Sequence, residues 1–211
     1  MRQSIAGWAC GVVALLAGCA SAPSHYYSLA APQARAAAGS PTAGTPAYGL
    51  RLQVLGIPAD ADRPQLLVRD PAREPAVEVL NQSLWAAPLA DQIQAVLAGG
   101  TAALLRVPDL QRLPAASDLP VRSVDLRITR FDLVWGRGAD LAAVWTDRAP
   151  RAPAARVCQA RLRSPAPGGV ADLVEAQRRS LRGLTVLVAH PSADGSRGLP
   201  EATELLEFGC T

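Results

Sequence analysis

Cys19 carries the clearest chemistry in this sequence. It follows Leu16-Ala17-Gly18, which closes an apolar run over residues 5–17, and Arg2 and the amino terminus supply a positive flank. A charged start, an apolar stretch of about 7–15 residues and small residues before a cut are the parts of a secretory signal peptide. The run is too short to span a bilayer, which takes about 20 apolar residues. A thiolate just after the small pair can be alkylated by a lipid, and cleavage before it makes it the new first residue. On this reading residues 1–18 are a signal peptide and residues 19–25 a lipidated tether. A plain signal peptide with an incidental cysteine is the alternative.

The other reactive side chains are few. Cys10 leaves with the signal peptide, so Cys158 and Cys210 remain. In an oxidising export compartment an even pair is a candidate disulfide; two unpaired thiols are the alternative. His25 and His190 are the only histidines, and neither sits in a metal-ligand pattern. His190, Ser192 and Asp194 hold the three residue types of a hydrolase triad, but inside a turn that follows a helix. The spacing of a nucleophile elbow is missing there, so a helix-ending turn is the better reading. Asp60 and Asp62 lack the further oxygen ligands of a calcium site and read as solvated loop charges. No cofactor is called for. Trp85, Trp135 and Trp145 are a candidate partner or lipid surface, with core packing at the sheet edges as the alternative.

Positioning these groups takes one domain's worth of chain. Beyond residue 18 the length suits a single unit of about 100–200 residues. Every one of the full chain's 21 basic residues is arginine, interleaved with Asp and Glu, and its net charge is only +3. No basic stripe marks a nucleic-acid face. The domain is expected over residues 26–190, with a flexible Ala/Gly/Pro/Ser-rich loop at 30–47 and a C-terminal tail at 191–211 that closes with Leu205-Leu206-Glu207-Phe208 as one last turn or strand.

Within the domain, Tyr26-Tyr27-Ser28-Leu29 reads as a first strand. Leu50, Leu52 and Val54 alternate with polar residues, which predicts a half-buried strand. Two short strands follow, at 64–68 and 77–80, and Asn81 to Trp85 leads into a helix. Leu89, Ile93, Val96 and Leu97 share one helix face, and Gly99-Gly100 is expected to stop that helix. Leu104, Leu105 and Val107 suggest a brief strand. Val124, Leu126 and Ile128 alternate strictly, then the phase flips to Phe131, Leu133 and Trp135. Such a flip is what a bulge produces. Two returning strands complete an antiparallel meander. A second helix places Leu173, Gln177, Leu181, Leu184 and Val188 near one face and ends at Pro191. Leu52, Val54, Ile93, Leu126, Ile128, Leu181 and Leu184 are expected to share a core.

Leu16-Ala17-Gly18-Cys19 resembles the lipobox of bacterial lipoproteins, and Ala20 after the cysteine resembles the outer-membrane sorting pattern. The pieces that follow include Tyr26-Tyr27-Ser28-Leu29, Ile57-Pro58, Asp62-Arg63-Pro64-Gln65-Leu66, Trp85 ahead of Pro88, Arg130-Phe131 and Trp145. In this order they resemble the PqiC-like auxiliary lipoproteins of ABC-type transport systems. The resemblance runs from Cys19 to about His190. The tail with Cys210 and the loop at 30–47 depart from it, so the pairing of Cys158 with Cys210 is not supported by it. It implies an α/β (α+β) single domain with a mixed, largely antiparallel sheet and two main helices. It also implies a non-enzymatic role in envelope lipid transport that contributes to outer-membrane integrity. The implied partners are an MCE-domain protein and the inner leaflet of the outer membrane, reached through acyl chains such as palmitate on Cys19. Homo-oligomerisation stays open. An envelope hydrolase of unknown substrate is the alternative, for which only the His190 turn speaks.

Overall fold

The computed structural model describes residues 23–30, 46–111, 118–191 and 198–211. Cys19, Ser192, Asp194 and most of the loop at 30–47 lie outside the described residues. In chain order the elements are β1 (His25–Tyr27), β2 (Gly49–Gly56), β3 (Gln65–Arg69), β4 (Val77–Trp85), α1 (Leu89–Leu105), β5 (Val121–Val134), β6 (Gly138–Arg148), β7 (Arg156–Pro165), α2 (Val170–Ala189) and β8 (Glu204–Cys210).

The sheet is organised around β5. Val124, Leu126 and Ile128 are buried while Asp125 and Arg127 face solvent, as strict alternation requires. The register against β6 shifts between Ile128 and Arg130. This bulge returns Phe131 and Leu133 to the buried face, so the phase flip in the sequence has its predicted cause. β6 runs antiparallel along one edge of β5. The other edge is shared: β2 pairs parallel along Val121–Arg127, and β3 pairs parallel at Leu133 and Val134. The strand order is β1-β4-β3-β5-β6-β7-β8, with β2 also on β5. The result is one open, mixed, eight-stranded sheet with two helices, a single α/β domain.

Both helices pack on one face of this sheet, α1 over β2 and α2 over β5, β6 and β7. The core lies between the layers. Leu52, Ile93, Leu126, Ile128, Leu181 and Leu184 are all in it, as predicted, while Val54 is only partly buried at its margin. The opposite face exposes Asp125, Arg127, Val144, Val157 and Gln159.

Two local expectations need correction, and a third, left open, is decided. α1 runs through Gly99-Gly100 to Leu105, so no strand forms at Leu104-Leu105-Val107. A Cβ at Gly100 would lie 2.9 Å from Thr185 Cγ2 of α2. The glycine lets the helices approach closely, and that packing offsets the roughly 1 kcal/mol that glycine loses in a helix. The helix stops instead at Arg106, left-handed at φ 55°, whose N–H donates to the Ala102 and Ala103 carbonyls.

Next, Asn81 to Trp85 does not lead out of the sheet but extends β4 to nine residues. β1 pairs beside it from His25–Ser83 to Tyr27–Trp85 and occupies its backbone groups. Finally, the end of the tail, open between a turn and a strand in the sequence, is a strand of the sheet. β8 pairs antiparallel with β7, and Phe208 stacks on Trp145 with ring centroids 6.3 Å apart. A register shift opposite Arg161/Leu162 leaves Leu206 exposed and blurs the alternation that would have marked the strand.

Candidate functional site

A three-residue strand such as β1 has little stability of its own. The residues around it hold it. The Tyr27 carbonyl accepts from the Ala86 N–H at 2.8 Å. Leu29 is 2% exposed, and its N–H donates to Gln92 Oε1 of α1 at 2.8 Å. Gln92 Nε2 in turn donates to the Ala87 carbonyl at 2.8 Å. From α2, Arg178 donates through Nε to the Ser28 carbonyl at 2.9 Å and through Nη2 to the Ala30 carbonyl at 2.7 Å. Groups from β4, α1 and α2 thus converge on residues 25–30.

The start of β1 is set by phase. Tyr27 and, two residues back, His25 turn their backbone groups toward β4. Pro23 is next in that phase and has no N–H to donate, so pairing ends there. The chain is fixed from His25 onward, six residue steps after Cys19.

Arg178 is itself oriented by Glu175, which accepts from its Nη1 at 3.1 Å and from Arg182 Nη2 at 2.9 Å. Partial burial pushes the Glu175 carboxyl up, but the hydrogen bonds from Arg182 and Arg178 outweigh it and hold the group below its ordinary value. A depressed acid adds stability above its unfolded pKa of about 4.3 and loses it as pH falls through the lower folded value. Urea midpoints at pH 6 and pH 3 should therefore differ less in Glu175→Gln than in the parent. The difference should stay under about 1 kcal/mol, because a carboxyl that is 41% exposed is screened by solvent. Equal acid sensitivity in both proteins would remove Glu175 from the clamp.

The tryptophans do not form a common surface. Trp85 is 6% exposed and meets Phe131 edge-to-face at 6.1 Å; Trp145 is 1% exposed, on the helix-covered face of β6. Trp135 is half-buried and donates to Glu78 Oε2 at 3.2 Å. The strand alternation that carries Leu126 and Leu141 inward carries Trp145 inward too. Cys158 and Cys210 lie directly opposite each other on β7 and β8 and form a disulfide. His25 is exposed, and His190 caps α2 with its N–H on the Val186 carbonyl. Asp60 accepts from Arg69 Nη2 at 3.1 Å and is an ion-pair member rather than a cation ligand. Among the described residues no group of three or more His, Cys, Asp or Glu is placed to hold a metal. An open groove lies beside the start of α2, lined by Pro165, Pro167, Asp172, Glu175 and Arg179, with no serine, threonine, cysteine or histidine along it.

Sequence reasoning missed the clamp. Gln92 and Arg178 sit on helix faces that their polarity assigns to solvent, yet Gln92 is 8% exposed. Gln94, assigned the same way, accepts from the Val54 N–H and donates to the Leu52 carbonyl at the edge of β2. Which backbone groups need a partner depends on tertiary placement, and no local pattern encodes it.

Comparison with known proteins agrees with the geometry. A crystal structure of an uncharacterized protein superposes with a TM-score of 0.58 at 15% identity, covering 80% of this chain and 97% of that one. Protein XCC0632 from Xanthomonas campestris, of the family DUF330, superposes with a TM-score of 0.50 at 15% identity, covering 68% of this chain and 82% of that one. Both share the fold. No curated relative matches. Among the described residues no helix is long and apolar enough to cross a membrane. The family model for the ABC-type transport auxiliary lipoprotein component matches residues 27–189, from the clamped β1 to the last residue of α2. On that match the chain belongs to the ABC-type transport auxiliary lipoprotein component family.

Proposed function

We propose that the chain is a lipid-anchored, periplasm-facing auxiliary component of an ABC-type lipid transport system. It contributes to outer-membrane integrity by binding an MCE-domain protein rather than by catalysis. The observation that carries this reading is the clamped β1. A flexible leader would let the domain roam. Here only six residue steps separate Cys19 from a strand built into the sheet, a reach of about 20 Å when fully extended. An acylated Cys19 would hold the domain against the leaflet of the outer membrane, where a partner crossing the periplasm arrives. The family description supports a transport role. His190 is exposed at the end of α2, and among the described residues no acid or base is hydrogen-bonded to its ring, which favours the reading without catalysis.

Replacing Cys19 is the test. A Cys19→Ala protein, exported with an ordinary cleavable signal peptide, should fold with unchanged urea midpoint and appear in the soluble periplasmic fraction. It should fail to restore outer-membrane integrity in a deletion strain. The lipidated parent should stay with outer membrane through a high-salt wash, because two or more acyl chains hold stably where one does not. It should also co-purify an MCE-domain protein. A Cys19→Ala protein still bound to outer membrane after the wash would end the anchor reading. A parent that captures no MCE-domain protein would end the partner reading.

A further inference from the structure

The clamp fixes a direction as well as a distance. β1 runs parallel to β4 with His25 opposite Ser83, so the chain upstream of His25 points toward the start of β4. β4 reaches six residues further that way, to Val77, a projection of at most about 20 Å at strand rise. The tether from Cys19 to His25 has the same number of steps and the same reach of about 20 Å. Fully extended along the strands, it brings the lipid only to the level of the β3–β4 hairpin end. If it leaves sideways, the leaflet lies against the outer edge of β4, which β1 covers only from Ser83 onward.

The surface on that side suits a lipid interface. Every residue from Pro71 to Val79 is exposed, and Val77 and Val79 are 37% exposed each on the sheet face that no helix covers. Tyr26 on β1 is 67% exposed, an aromatic with an apolar body and a polar tip. Charge there is net negative, Arg73 beside Asp70 at 3.5 Å against Glu74 and Glu78 nearby, which disfavours an anionic lipid surface and leaves a zwitterionic one. The base of the hairpin is braced, since Arg69 donates to Asp132 at 2.9 Å and to Asp60 at 3.1 Å.

We infer that the β3–β4 hairpin end, together with Tyr26, rests on the zwitterionic phospholipid surface into which Cys19 is inserted. This rests on the anchor reading and deepens it. The membrane is a second contact of the domain, and it sets the orientation in which the rest of the sheet is presented.

The test uses the lipidated protein on phosphatidylethanolamine-rich vesicles. The two cysteines of the domain are bonded to each other, so an introduced thiol can be labelled selectively. An environment-sensitive dye is placed at Val77→Cys, at Val79→Cys and, as a control, at Arg148→Cys at the far end of β6. Iodide quenching at 77 and 79 should drop several-fold on vesicles relative to the soluble Cys19→Ala form, independently of salt, with no change at 148. Co-flotation with equal quenching at all three positions would overturn the contact and leave the anchor standing. A protein that does not float with vesicles would remove the anchor and the contact together. Shielding of position 77 in the soluble form that grows with concentration would assign the patch to a second copy and overturn the lipid contact.

Discussion

Arg122→Ala should destabilise the domain by about 3–5 kcal/mol, the range for removing one partner of a buried ion pair. Arg122 is 6% exposed and Asp147 1%. The guanidinium grips the carboxylate in a fork, Nε to Oδ1 at 3.0 Å and Nη2 to Oδ2 at 3.1 Å. It also donates to the Val188 carbonyl at 2.7 Å and to the Ala189 carbonyl at 3.2 Å, the last two of α2. Those carbonyls have no partner within the helix, and a cation there complements the helix dipole. One side chain thus joins the edge of the meander to the end of the helix above it. After truncation Asp147 keeps only Arg156, at 2.8 Å and 48% exposed. Urea denaturation of the exported domain measures the loss. Pairing Arg122→Met with Asp147→Leu should recover most of it, because the cost lies in the stranded charge. A single-mutant loss below about 1 kcal/mol would show that water reaches Asp147 and that the pair is not sealed.

Removing the disulfide should cost about 4 kcal/mol. Cys158 and Cys210 are 52 residues apart, and on the chain-entropy account a loop of that size gives about 4 kcal/mol by restricting the unfolded chain. The paired replacement Cys158→Ala with Cys210→Ala should lower the urea midpoint accordingly. β8 should fray first, since it is an edge strand whose inward side chains, Leu205 and Phe208, are only partly buried. The near-ultraviolet signal of Trp145 against Phe208 reports that fraying. Protein taken from the envelope should show no free thiol when denatured without reductant. Two labelled thiols there would mean the bond does not form in its own compartment.

What could be read in advance was whatever one segment decides alone. The alternation of Val124, Leu126 and Ile128, the flip to Phe131 and the face of Leu173, Leu181 and Leu184 are local patterns, and each became the element it predicts. The places misread or left open all depend on a distant partner. Asn81 to Trp85 is strand because β1 lies beside it, and α1 passes Gly100 because Thr185 packs there. Residues 204–210 are strand because β7 offers an open edge and Cys158 a bond. The same holds for the candidate site. Cys19 announces itself by its flanking residues, whereas Gln92 and Arg178 become significant only once the fold sets the buried Leu29 N–H and the Ser28 and Ala30 carbonyls beside them.

The parallel pairing of β1 with β4 decides how the domain bears mechanical load. A pull on the chain at His25 along the strand axis runs crosswise to the β1–β4 hydrogen bonds, so they share the force at once instead of opening one by one. Behind them Leu29 acts as a stop, seated in the core, and Arg178 as a crossbar bolted to α2. A pull perpendicular to the strand would meet the same bonds singly, starting at His25. The join is therefore strong in shear and weak in peel.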